Sequence, residues 1–146
     1  MKINFNDLFY VCSMIEYVAR ITKNKRGIIA CKLGNSGIEK ELHDAEVNHC
    51  LSFEQVADEW IEHYHISEGD FETIKNCRYS VPDYCDIGKL YAYITEDLSD
   101  GTDIAETLTK LFSSFLSDEI SDFNTDLYYQ NISYLEACYN AGTILN

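Results

Sequence analysis

The chain has 146 residues, 46% of them hydrophobic and 13% aromatic, and a formal net charge of −14. That length suits one domain with a single core, and so much apolar surface offsets the entropy of ordering, which excludes disordered and low-complexity classes. The acidity sets the chain against bare nucleic acid and anionic membranes, since both would repel it.

The apolar residues follow a period close to 3.6 almost throughout. A first helix is predicted from about Asn6 to Thr22, with Leu8, Val11, Cys12, Ile15, Val18 and Ala19 on one stripe. After the polar break Lys23-Asn24-Lys25, a short helix over Gly27 to Leu33 is expected to stop at Gly34 in a left-handed conformation. Ser36 opens a third helix through about Val47. Ser52, with Gln55 at capping-box spacing, starts a fourth that carries Val56, Ala57, Trp60, Ile61 and Tyr64.

Ser67 with Asp70 predicts a short helix over Phe71 to Asn76. The run Cys77 to Pro82 reads as an extended connector, because proline disfavours helix just before itself. Asp83 can cap a helix to about Leu98, Asp100-Gly101 marks a turn, and Thr102 caps a helix through Leu116. An irregular acidic segment follows from Asp118 to Gln130. Ser133 with Glu136 starts a last helix ending at Gly142. No run alternates as a strand. The expectation is a single all-α domain over residues 1–146, built from six to eight helices.

The N-terminus places Asp7 where a signal peptide needs a basic stretch and then an apolar core. No apolar run reaches the ~20 residues of a membrane span. A cytoplasmic location is expected, and with it free thiols: the six cysteines (12, 31, 50, 77, 85 and 138) read as small buried hydrophobes rather than as bridges. Charge is polarised along the chain. Residues 1–40 hold seven basic and three acidic residues, a net of +4, and the remainder carries a net of −18.

Patterns for chemistry are sparse. His43, His49, Cys50, His63, His65, Cys77 and Cys85 are an inventory of metal ligands without paired spacing. On a helix, His63 and His65 would point about 200° apart. No nucleophile elbow or phosphate-cradling glycine loop is present. The sequence therefore names no catalytic residue, metal ligand or cofactor. A small metal- or thiol-dependent enzyme drawn from this inventory stays as the alternative class.

Residues 25–46 resemble a helix-turn-helix in outline, joined at Leu33-Gly34-Asn35-Ser36. Its reading helix would carry Glu39, Glu41, Asp44 and Glu46 against Lys40 alone, and such a surface opposes direct DNA binding. The basic cluster Arg20, Lys23, Lys25 and Arg26 reads as a solvated turn, with a transcriptional accessory role as the functional alternative.

The segment Ser117 to Gln130 interleaves carboxylates with aromatic residues. Asp118, Glu119, Asp122 and Asp126 would steer a basic protein partner, and Tyr128, Tyr129 and Tyr134 would supply contact area. The plainer alternative packs Phe123, Leu127 and one tyrosine on the core and leaves the acids solvated. Nucleic-acid mimicry is a further reading of the acidity, and an all-helical domain of this size also suits a homodimer.

Phe9 to Ala19, then Leu33-Gly34, Gly37-Ile38, His49 and Ser52-Phe53, resemble a group of short, uncharacterised helical proteins of gut Firmicutes. Some of those are encoded beside ADP-ribosyltransferase-like toxins. The resemblance covers about residues 5–64 and carries over no catalytic residue. It implies an accessory or antitoxin-like binding protein.

Overall fold

The structure is a computed structural model that describes residues 4–100 and 103–146. Seven α-helices form within those residues: α1 (Phe5–Thr22), α2 (Arg26–Asn48), α3 (Phe53–His63), α4 (Tyr84–Leu98), α5 (Ile104–Phe112), α6 (Phe115–Ile120) and α7 (Ile132–Ala141). A single 3-10 turn, Leu127–Tyr129, lies between α6 and α7. No strand forms among the described residues, so the architecture is all-α as the periodicity predicts.

Helix α1 is the central strut. Asn4 caps it by accepting from the Asn6 amide at 2.7 Å, and Lys23 ends it in the left-handed region with φ 58°. Val11, Cys12, Met14, Ile15, Val18 and Ala19 are fully buried. Such burial around most of a helix requires neighbours on several sides. Helices α2, α3 and α4 supply them, with α4 making the most extensive packing. Gly88 permits the close approach: a Cβ there would lie 2.5 Å from Ser13 Cα and 2.6 Å from Ser13 N.

Gly34 takes φ 69° and ψ 175° inside α2, as the left-handed stop predicts in sign. The helix nevertheless resumes at once, so residues 26–48 form one kinked element rather than two helices joined by a turn. A helix-turn-helix needs a turn of about 3–4 residues between its helices, and here a single residue leaves the helical region. Ser52 caps α3 by accepting from the Gln55 amide at 3.1 Å, and Asp83 caps α4 by accepting from the Cys85 amide at 2.7 Å.

Three further expectations are corrected. The helix over Phe71 to Asn76 does not form. The amides of Gly69 and Phe71 donate to the Thr22 and Lys23 carbonyls at 2.8 Å each, and Glu72 Oε2 accepts from the amides of Ile74 and Lys75. Those donors are withdrawn from any local helix, so a tertiary partner overrides the cap-like sequence.

The helix expected to run unbroken to Leu116 stops at Phe112 and restarts at Phe115. Ser114 Oγ donates back to the Leu111 carbonyl at 2.7 Å, and α2 presses on the break. A Cβ at Gly27 would lie 2.8 Å from Ser113 Cα. The Thr102 cap and Gly101 of the predicted turn lie outside the described residues.

The third correction concerns α7. It starts at Ile132 after Asn131, and Ser133 lies inside its first turn rather than capping it. Its other end is as predicted, with Gly142 left-handed at φ 76°. The buried residues form one hydrophobic cluster reaching from Leu8 to Cys138. No described helix is long and apolar enough to cross a membrane.

Candidate functional site

The irregular stretch between α6 and α7 is shaped by short polar side chains acting on their own backbone. Asp122 Oδ1 accepts from the Asn124 amide at 3.1 Å, and Thr125 Oγ1 donates to the Asp122 carbonyl at 2.9 Å. Such bonds compete with helix and hold a turn. Phe123 and Leu127 drop into the core at 4% and 7% exposure. The polar residues between them are left facing outward.

Beside this stretch runs the connector Cys77–Pro82, which is free of helix as predicted but bends at Arg78 and Tyr79 rather than running extended throughout. Two hydrogen bonds hold it there. The Arg78 amide donates to Asn124 Oδ1 at 2.9 Å, and Arg20 Nη2 donates to the Pro82 carbonyl at 2.6 Å. The same Arg20 guanidinium lies 5.2 Å from the centre of the Phe123 ring. One arginine of α1 thus supports both walls of the space between connector and turn.

That space is an open groove of about 520 Å³ lined by Tyr79, Pro82, Phe123, Asp126, Tyr128 and Tyr129 among others. Tyr79 and Tyr129 are 62% and 67% exposed, far more than a packing role requires. Tyr128 is half-buried; burial, with the charge of Asp86 and the neighbouring Tyr129, raises its hydroxyl above the ordinary tyrosine pKa. A second groove of about 360 Å³ opens on the other side of the turn, lined by Glu119, Asp126, Leu127 and Tyr134. Tyr134 donates its hydroxyl to the Leu145 carbonyl at 2.5 Å.

The predicted partner-binding residues are therefore divided. Asp126, Tyr128 and Tyr129 share the first groove, and Glu119, Asp126 and Tyr134 share the second. Asp122 is exposed between α6 and the turn. Asp118 faces elsewhere: it pairs with Lys25 at 3.4 Å and lines a third groove of about 540 Å³ against α2, with Ile28, Cys31 and Phe112. Phe123 and Leu127 do pack on the core, and Tyr128 and Tyr134 pack partly against it.

Tyr79 and Pro82 went unrecognised in the sequence. The segment's own signal was its extended character, and nothing local indicates that it lies against residues 123–129.

Other sequence candidates are used structurally. Arg26 is not on a solvated turn but 1% exposed, bonded to Glu16 through two nitrogens. Glu41, counted among the acids of a reading helix, is buried and accepts from Trp60 Nε1 at 3.1 Å and the Tyr64 hydroxyl at 2.6 Å. Burial and this bond to Glu41 raise the Tyr64 pKa.

His49 packs on the Tyr10 ring at 4.3 Å, and His63 meets Tyr64 edge-on. His43 Nδ1 lies 3.2 Å from Asp44 Oδ1, and His65 takes a positive φ of 54° beyond the end of α3. Among the described residues, no three histidine, cysteine, aspartate or glutamate side chains are gathered to hold a metal ion. All six cysteines are free; Cys12 and Cys138 are buried as expected, but Cys31 and Cys50 are exposed. No protein-family model, curated protein or solved structure matches this chain significantly.

Proposed function

We propose that this chain is a non-enzymatic interaction protein of the antitoxin or immunity type, acting in the cytoplasm on a basic surface of a protein partner. The observation that carries the reading is the state of its exposed acids. Glu119 at the end of α6, and Asp122 and Asp126 on the irregular stretch that follows it, are exposed, and none has an ion-pair partner among the described residues. Unpaired carboxylates set around open, tyrosine-lined grooves favour fast encounter with a cationic surface and then burial of aromatic area. Solubility alone needs acids but not the exposed rings of Tyr79 and Tyr129 among them.

The test is a tagged pull-down from the native host at low and moderate salt. It is run in parallel with a variant in which Asp118, Glu119, Asp122 and Asp126 are all serine. A stoichiometric partner held at low salt, weakened by moderate salt and lost from the variant supports the reading. A partner retained equally by both proteins removes these acids from the interface.

A further inference from the structure

We infer that the groove between the connector and the 3-10 turn receives an arginine side chain of the partner, a proposal that rests on the interaction role above. Several aromatic rings border this groove, and two of them already carry a guanidinium from this chain. Arg20 lies over Phe123 at 5.2 Å and Arg78 over Tyr79 at 6.0 Å. Tyr128 and Tyr129 are different. Their ring centres are 4.9 Å apart with planes at 77°, and no cation of the described residues stacks on either. Two rings set nearly at right angles offer one face to stack on and one edge to close the pocket.

Charge points the same way. Asp126 lines the groove, is exposed, and has no ion pair among the described residues. Asp86 is close enough to act on the Tyr128 hydroxyl. A planar guanidinium can lie flat on a tyrosine face while its N–H edge donates to a carboxylate. An ammonium is more strongly hydrated and has no flat face, so lysine fits the same space less well. A volume of about 520 Å³ also admits the backbone flanking such a residue.

The experiment is an NMR titration of the ¹⁵N-labelled protein with N-acetyl-arginine amide. N-acetyl-citrulline amide serves as the uncharged match and N-acetyl-lysine amide as the unstacked cation. The expected result is saturable shifts at Tyr79, Asp126, Tyr128 and Tyr129 with arginine, weaker binding with lysine, and no saturation with citrulline. Asp126→Asn and Tyr129→Ala should each weaken arginine binding at least three-fold while the remaining resonances stay in place. The inference is overturned by linear shifts that never saturate, by an equal response to citrulline, or by shifts spread over the other acidic surfaces. If the partner is still captured through the four acids while arginine gives no saturable shift, the groove assignment fails and the interaction role stands.

Discussion

Glu16 and Arg26 form a two-pronged ion pair inside the core, with Nε and Nη2 donating to Oε1 and Oε2 at 2.8 and 2.7 Å. Each side chain is 1% exposed. Arg20 Nε donates to the same carboxylate at 2.7 Å, and its Nη2 continues to Pro82. One buried acid of α1 is thus linked, through Arg20, to the wall of the tyrosine groove. Burial alone would raise the Glu16 pKa, but the two guanidiniums outweigh it and hold the carboxyl below its ordinary value. Burial likewise would lower that of Arg26, and Glu16 reverses it.

Breaking this pair from its two sides should give unequal results. Glu16→Met leaves Arg26 buried without its acceptor and should cost about 3–5 kcal/mol in urea unfolding. Arg26→Met leaves Glu16 paired with Arg20 and should cost less. Because the folded pKa of Glu16 is depressed, its stabilisation is present above the ordinary carboxyl value of 4.5 and is lost as pH falls through the folded value. Stability of the native chain should therefore drop on acidification below about 4.5, with a shallower slope in Glu16→Met.

Glu136 on α7 should show the opposite dependence. Burial comes first, then the neighbouring Asp97 carboxyl on α4, and together they raise its pKa from 4.5 to about 7. Its Oε2 is sealed from solvent without a hydrogen-bond partner. A carboxyl that binds its proton more tightly when folded loses stability as pH rises from about 4.5 to about 7. Carboxyl ¹³C titration should place its midpoint near 7. Glu136→Gln should raise stability at pH 8 by about 1 kcal/mol, after a large discount for solvent screening. An ordinary midpoint near 4.5 would remove the carboxyl pair from the account.

The approach of α4 to α1 admits no side chain at position 88. A Cβ there meets the Ser13 backbone, which cannot move as a flexible side-chain tip can. Gly88→Ala should destabilise by about 3 kcal/mol or more, read from thermal unfolding, although alanine is the better helix former. If thermal unfolding is unchanged, the helices do not meet at this distance.

Thiol accessibility gives a quick check on the packing. Cys31 and Cys50 are exposed, and Cys12 and Cys138 are buried. Burial pushes the Cys12 thiol pKa far up, and it also heads the causes that raise that of Cys85. A disulfide-exchange reagent should modify Cys31 and Cys50 first in the native protein, and Cys12 and Cys138 only on unfolding. Early modification of Cys12, followed by peptide mapping, would contradict the placement of α1 at the centre.

The helices and most of their ends were set locally. The apolar period of α1, the Ser52 and Asp83 caps, and the positive φ at Gly34 and Gly142 all follow from side chains within a turn of where they act. The sequence also marked Asp126, Tyr128 and Tyr129 as an acidic, aromatic surface. Only the tertiary structure decided which acids stay free and which are used. Asp118 meets Lys25, 93 positions away, and Arg26 turns inward to Glu16. The second wall of the groove comes from Tyr79 and Pro82, held by Asn124 and Arg20. Helix periodicity and capping are contacts between near neighbours, which a short window contains. Ion pairs and groove walls join residues far apart in the chain, so they exist only once the core has brought their helices together.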